Sequence, residues 1–206
     1  MVAIVDYGVG NLFSLKSSLD AIGAEAVVTA DPEILAKADR IILPGVGAFE
    51  DAARQLRDTG LDTVVKDLAR KGKPLMGICL GMQMLFEKSY EFGEHEGLGL
   101  IPGAVKSIRD VIPGDYKIPH IGWNALRFRR ETPLFRHISE GDCVYFVHSF
   151  YAADCEESVL ADTEYGAYLT AAVAKGNVMG CQFHPEKSGN VGLAILKAFT
   201  EMKEGA

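Results

Sequence analysis

Short apolar runs alternating with helical periodicity constrain this chain more than any other feature. Such alternation implies a parallel sheet covered by helices on both faces. Val2 to Asp6, Glu25 to Thr29, Arg40 to Leu43 and Pro74 to Ile78 are expected as strands. Between them, Asn11 to Ile22, a turn opening on Asp31-Pro32, Ala48 to Asp58 and Leu61 to Arg70 are expected as helices. A further helix is expected over Leu80 to Glu87. Asp31 followed by proline reads as an N-cap with proline in the first turn.

The second half changes character. Gly97 to Ile108, Ile118 to Phe128, Cys143 to Tyr151, Tyr168 to Ala174 and Val178 to Phe183 are expected as strands, with a hairpin turn at Lys175-Gly176-Asn177. Ser188 to Met202 is expected as a closing helix with Leu193, Leu196 and Phe199 near one face. The expected architecture is α/β: an open mixed sheet, mainly parallel, with helices on both faces and antiparallel strands at one edge. A chain of 206 residues, 48% apolar, suits a single domain over 1–206 without disulfides. In such sheets ligands sit at the carboxyl ends of the central strands.

Composition excludes several function classes. The net charge of −7 argues against a nucleic-acid partner. The Arg127-Phe128-Arg129-Arg130 cluster reads as a solvated strand edge or turn. No apolar run approaches the length of a membrane span, and Met1 to Tyr7 lacks the charged start of a signal peptide, so the expected compartment is the cytoplasm. The four cysteines Cys79, Cys143, Cys155 and Cys181 form no CxxC pair, and no metal is expected. Cys143 and Cys181 are expected in the core, and Cys155 in an acidic loop with no role.

Three motifs carry chemistry. In Gly77-Ile78-Cys79-Leu80-Gly81 a cysteine stands at a strand-to-helix junction between two glycines, the frame of a nucleophile elbow. The helix that follows presents its first N–H groups to the sulfur, which favours the anion. In His184-Pro185-Glu186, strand geometry would project the imidazole and the carboxylate to the same side, as a base and its orienting acid. In Pro44-Gly45-Val46-Gly47 a glycine turn after a strand offers backbone N–H groups; with that of Leu80, the N–H of Val46 or Gly47 could form an oxyanion hole. Asp6-Tyr7-Gly8-Val9-Gly10-Asn11 is not a dinucleotide fingerprint, because Phe13 occupies the third glycine position.

Together these motifs resemble the class I (triad) glutamine amidotransferases, whose fold is flavodoxin-like. Within them, Asp6 to Asn11, Pro44 to Phe49, Pro119-His120-Ile121-Gly122-Trp123-Asn124 and Tyr145 to Phe150 are most similar to the glutaminase subunits of imidazole glycerol phosphate synthase. The resemblance implies hydrolysis of L-glutamine to glutamate and ammonia through a thioester on Cys79, with no cofactor. It implies a (β/α)8-barrel cyclase subunit as partner in histidine biosynthesis, consuming the ammonia in a heterodimer. It also implies that Gln83 and Glu91 hold glutamine, with the segment His148-Ser149-Phe150 at the α-carboxylate. Asn11, Trp123, Tyr145 and Lys187 match positions facing the cyclase. The family pattern further implies low activity until the cyclase binds its ligand, with a flipping peptide in Gly45-Val46-Gly47 as the switch. Rival readings are the glutaminase of pyridoxal phosphate synthesis, a non-catalytic binding subunit of the same fold and a cysteine peptidase on a similar sheet.

Overall fold

The computed structural model describes residues 1–202; positions 203–206 of the expected domain lie outside the described residues. The first half alternates strand and helix: β1 (Val2–Val5), α1 (Leu12–Ala21), β2 (Ala26–Thr29), α2 (Pro32–Lys37), β3 (Arg40–Leu43), α3 (Phe49–Asp58), α4 (Leu61–Arg70), β4 (Leu75–Ile78) and α5 (Leu80–Met84). The chain continues through β5 (Phe86–Ser89), β6 (His95–Glu96), β7 (Ile101–Ser107), β8 (His120–Ala125), β9 (Arg127–Phe128), β10 (Cys143–His148) and β11 (Phe150–Ala153). It closes with β12 (Val159–Glu164), β13 (Tyr168–Lys175), β14 (Val178–Cys181) and α6 (Gly189–Thr200).

The main sheet has eight strands in the order β2-β1-β3-β4-β14-β13-β12-β9. Pairing is parallel from β2 to β14 and antiparallel from β13 to β9, the expected mixed arrangement. Strands β1 and β4 are buried along their whole length, as a sheet covered on both faces requires. One apolar cluster joins α3, α4 and α5 to the sheet, and another joins α1 and α6. Asp31 caps α2, its carboxylate accepting from the Glu33 N–H at 2.8 Å.

Other expectations are corrected. Two further sheets exist, β10-β8 and β11-β7-β5-β6, where one sheet was expected. The helix expected to reach Glu87 ends at Met84, because Phe86 to Ser89 pairs with β7. The strand expected from Gly97 begins at Ile101: residues 97–100 fold back instead, their N–H groups bonding to the carbonyls of Glu87, Met84, Phe86 and Leu85. Ile118 to Phe128 divides into β8 and β9, which join different sheets. Cys143 to Tyr151 divides at Ser149, where the chain leaves β8 and pairs with β7.

Strand β12 was not anticipated, because Asp162 and Thr163 break the apolar pattern. Both are buried with partners. Arg127 grips the Asp162 carboxylate with two hydrogen bonds of 2.7 and 2.8 Å, and the Thr163 hydroxyl donates to the Ala125 carbonyl at 2.9 Å. The Arg127 guanidinium also lies over the Tyr168 ring, 3.4 Å from its centroid. On α6 the buried face is formed by Gly192, Ile195, Leu196, Ala198 and Phe199, with Leu193 at its margin. Among the cysteines, Cys181 is buried as expected and Cys143 is exposed against expectation; Cys155 lies in the expected acidic loop but is buried, which pushes its thiol up to about 11. No helix among the described residues is long and apolar enough to cross a membrane.

Candidate active site

The site forms where β4 ends. Cys79 has φ 55° and ψ −113°, a left-handed backbone that L side chains rarely adopt. Such a conformation costs about 1–3 kcal/mol and persists only where surrounding contacts impose it. Those contacts are visible. The Cys79 N–H donates to the Cys181 carbonyl at 2.8 Å. A methyl group on Gly77 would lie 2.6 Å from the Gly81 carbonyl oxygen, and one on Gly45 2.7 Å from the Gly81 nitrogen. The elbow and the Gly45–Gly47 turn are therefore packed backbone on backbone, which only glycine permits.

His184 arrives from β14, which ends at Cys181. The His184 N–H donates to the Tyr145 carbonyl at 3.0 Å, and the Ser188 hydroxyl donates to the His184 carbonyl at 2.6 Å. His184 Nδ1 lies 2.8 Å from Glu186 Oε1. The two meet because Pro185 opens a 3-10 turn, not because a strand continues as expected. With Nδ1–H given to Glu186, the other ring nitrogen is left for the Cys79 thiol, which lines the same cleft and acts on the ring electrostatically. Burial opposes charge on this ring, but the Cys79 and Glu186 side chains outweigh it and raise His184 to about 9. The second oxygen of Glu186 is buried without a hydrogen-bond partner. Cysteine, imidazole and carboxylate thus stand in one line, an arrangement that can generate a thiolate and return a proton to a leaving group.

This arrangement has a measurable consequence. The ring is raised in the folded chain, so its protonation contributes stability that is fully present below about pH 6.5. That contribution is lost as pH rises through about 9. Glu186→Gln removes one of the two raising partners, so its unfolding free energy is expected to fall less steeply across that window in denaturant titrations.

A cleft of about 320 Å³ opens over Cys79, lined among others by Val46, Gly47, Leu80, Gln83, Glu91, His184 and Lys187. Val46 and Gly47 are exposed, and Gly47 has φ 89°. Gln83 Nε2 donates to the Phe150 carbonyl and to Gln182 Oε1, each at 3.0 Å, so its side chain is held at the cleft floor. Glu91 Oε2 accepts from the Phe49 N–H at 2.8 Å; burial raises its carboxyl, opposed by that N–H and by His95. His148, Ser149 and Phe150 form one wall, where the chain changes sheets.

The residues matched to a partner surface divide. Trp123, 57% exposed, stands edge-on to Tyr145 at 6.0 Å between centroids, and Lys187 Nζ lies 6.0 Å from the Tyr145 ring centroid. These three form one group beside the cleft. Asn11 is the N-cap of α1, its side chain making no capping bond. Sequence reasoning missed several neighbours. Pro119 and Val147 line the cleft, and Gln182 Nε2 lies 3.9 Å from Cys79 Sγ. Phe13 and Ile121 are large exposed apolar side chains, Ile121 on the same strand face as Trp123. The alternation Ile121-Gly122-Trp123 could have signalled that face. Nothing local signals Gln182. Among the described residues, no group of three or more His, Cys, Asp or Glu is placed to hold a metal ion.

Comparison with known proteins agrees with this geometry. A sequence model of the family "Glutamine amidotransferase class-I" matches residues 3–202. The imidazole glycerol phosphate synthase subunit HisH of Oceanobacillus iheyensis is 48% identical over 98% of this chain and 99% of its own. The subunit of the same name from Wolinella succinogenes is 50% identical over 98% of this chain and 100% of its own. In fold, a solved glutamine amidotransferase superposes with a TM-score of 0.75 at 21% identity, covering 97% of this chain and 100% of that one. PurLQS from Thermotoga maritima superposes with a TM-score of 0.71 at 22% identity, covering 97% and 96%. The chain belongs to the class-I glutamine amidotransferases, among the HisH subunits of imidazole glycerol phosphate synthase.

Proposed function

We propose that this chain hydrolyses L-glutamine to L-glutamate and ammonia and delivers the ammonia to a (β/α)8-barrel cyclase subunit, as the glutaminase of imidazole glycerol phosphate synthase. The observation that carries the reading is the line from Cys79 through His184 to Glu186, set at the floor of a cleft of about 320 Å³. In this reading the Cys79 thiolate adds to the carboxamide carbon of glutamine. The oxyanion is held by the Leu80 N–H, at the start of a helix whose first N–H groups lack intrahelical partners, and by an N–H of Val46 or Gly47. His184 gives its proton to the departing ammonia, leaving a γ-glutamyl thioester. It then takes a proton from the water that cleaves the thioester, while Glu186 keeps the ring oriented throughout. Glu91 pairs with the α-ammonium, Gln83 steadies the substrate, and the His148-Ser149-Phe150 segment receives the α-carboxylate.

Residues 1–206 are read as a single domain, and the cytoplasm suits a site that depends on a reduced thiol. Ammonia released into water would be protonated and lost, so the exit must be covered by the partner. The group of Ile121, Trp123, Tyr145 and Lys187 beside the cleft is the surface we assign to it, and we put Asn11 at its edge. Two tests apply. A diazoketone analogue of glutamine is expected to label Cys79, and an unlabelled thiol would move the reading to a binding subunit. Lys187→Ala is expected to lower cyclase product formed per glutamine consumed by about threefold or more, while glutaminase kcat changes less; a loss of only ~1 kcal/mol at such an interface suffices for a change of this size. Equal coupling in wild type and variant would remove Lys187 from the assignment.

A further inference from the structure

Two buried histidines outside the Cys79–His184–Glu186 line face each other across β8 and β10. His120 and His148 are directly opposed in the antiparallel register. His120 Nδ1 lies 3.0 Å from His148 Nε2. At one end of this chain, His148 Nδ1 lies 2.8 Å from the Phe150 carbonyl oxygen. At the other, His120 Nε2 lies 2.8 Å from Asn124 Oδ1, and Asn124 is oriented by donating from Nδ2 to the Glu164 carbonyl at 3.0 Å. An acceptor therefore closes both ends. Satisfying every contact needs a proton on His148 Nδ1, a proton between the rings and a proton on His120 Nε2. Two neutral imidazoles carry one fewer than that. Turning the Asn124 amide over only moves the acceptor–acceptor contact to the Glu164 carbonyl. A neutral pair thus leaves one contact unsatisfied, and a single added proton completes the network.

We infer that the His120–His148 pair takes up one proton when the α-carboxylate of glutamine occupies the adjoining cleft, and so supplies the positive charge of that subsite. The inference rests on the glutaminase reading of the cleft. His148 lines the cleft, and its ring bonds the same Phe150 carbonyl that accepts from Gln83. Both of its nitrogens are engaged, so the pair acts through its field and through the backbone it holds; these are positioning residues.

The surroundings explain why the charge arrives with the ligand. Burial holds His148 down to about 3 against its bond to Phe150, with the His120 and His184 rings adding repulsion. Burial also lowers His120, against its bond to Asn124. Tyr165, whose hydroxyl donates to the Lys117 carbonyl, stacks on the His120 ring at 4.1 Å, and Phe146 stacks on the same ring at 5.1 Å. Glu186 stands behind His184, and Glu91 and Lys187 lie elsewhere around the cleft. Among the described residues no carboxylate hydrogen-bonds either ring. A bound carboxylate supplies the missing counter-charge, and by linkage the proton strengthens its binding.

The test uses the assembled complex with the cyclase. In the complex carrying Cys79→Ala, calorimetry of glutamine binding in buffers of different ionisation enthalpy should show uptake of about one proton near about pH 7.5. Glutaminamide, which lacks the carboxylate, should bind with no such uptake. Nitrogen NMR of the histidine rings should show the His120–His148 pair gaining one positive charge, shared between the rings, only with glutamine bound. In the active complex, the KM for glutamine should rise with pH, by up to about tenfold per unit over the window of uptake. His120→Gln should raise KM about tenfold at neutral pH, flatten that pH dependence and change kcat by less than about twofold. Rings that stay neutral with glutamine bound, or equal proton uptake with glutaminamide, would overturn the inference. These readings need no His120 variant, so they decide the matter even if His120→Gln does not fold. Labelling of Cys79 by the diazoketone separates the two failures. A labelled thiol without proton uptake sinks this inference alone, whereas an unlabelled one sinks the glutaminase reading beneath it.

Discussion

Cys79→Ala is expected to abolish glutamate release from glutamine, lowering kcat by about 10⁶-fold, the scale on which triad nucleophiles are lost. The lesion should be chemical and not conformational. Alanine at position 79 suffers the same left-handed strain as cysteine at φ 55° and keeps the N–H bond to the Cys181 carbonyl. The melting temperature should therefore stay within a few degrees of wild type, and the cyclase should still bind. Glu186→Gln should cost less, about 10²–10⁴-fold, because the nucleophile remains while the ring loses its orienting charge. The double variant should be hardly worse than Cys79→Ala, since residues acting as one unit do not add. The assay is glutamate release with and without the cyclase and its nucleotide ligand. Strong stimulation that disappears in Cys79→Ala supports chemistry and partner together. Full activity without any partner would keep the triad and overturn the synthase assignment. Residual turnover in Cys79→Ala close to wild type would remove Cys79 as the nucleophile.

Gly81→Ala is expected to be the most destabilising single-methyl change at the site. The added carbon would lie 1.9 Å from the Leu43 carbonyl oxygen and 2.9 Å from the Leu43 carbonyl carbon. Both are backbone atoms of a buried strand, so no side chain can rotate away to make room. Overpacking of this kind should cost about 3–5 kcal/mol and lower the melting temperature by roughly 10 °C in a domain of this size. Relief requires the end of β3 to move, and with it the Gly45–Gly47 turn, so activity should fall together with stability. Gly114→Ala is the matched control: a methyl group there meets nothing within 4 Å, and its change should stay within about 0.5 kcal/mol. Equal melting temperatures for the two variants would show that the elbow is looser than its backbone contacts imply.

The elbow was legible because its cause is local. Two glycines at plus and minus two from a cysteine, after an apolar strand, leave few other ways to pack a strand-to-helix turn, and α5 does start at Leu80. The alternation of the first half was equally plain, since strands buried on both faces read as uninterrupted apolar runs. His184 and Glu186 were found for an incomplete reason: the pairing is made by the turn at Pro185, not by strand geometry. Trp123 could not be assigned to core or surface from its residue type. It is exposed because β8 pairs only with β10, which leaves one face of that two-stranded sheet without a cover.

The sequence by itself determined the mixed parallel sheet, the strained nucleophile at its carboxyl edge and the glycine frame that imposes the strain. These follow from short-range burial periodicity and from positions where a Cβ has no room. Only the tertiary structure decided where strands change partners, as at Ser149, and which polar residues are buried. Asp162 is buried because Arg127 reaches it from β9, and His120 because His148 opposes it from β10. Strand pairing and polar burial are settled by residues distant in the chain, and a local pattern cannot contain the partner that makes such burial tolerable.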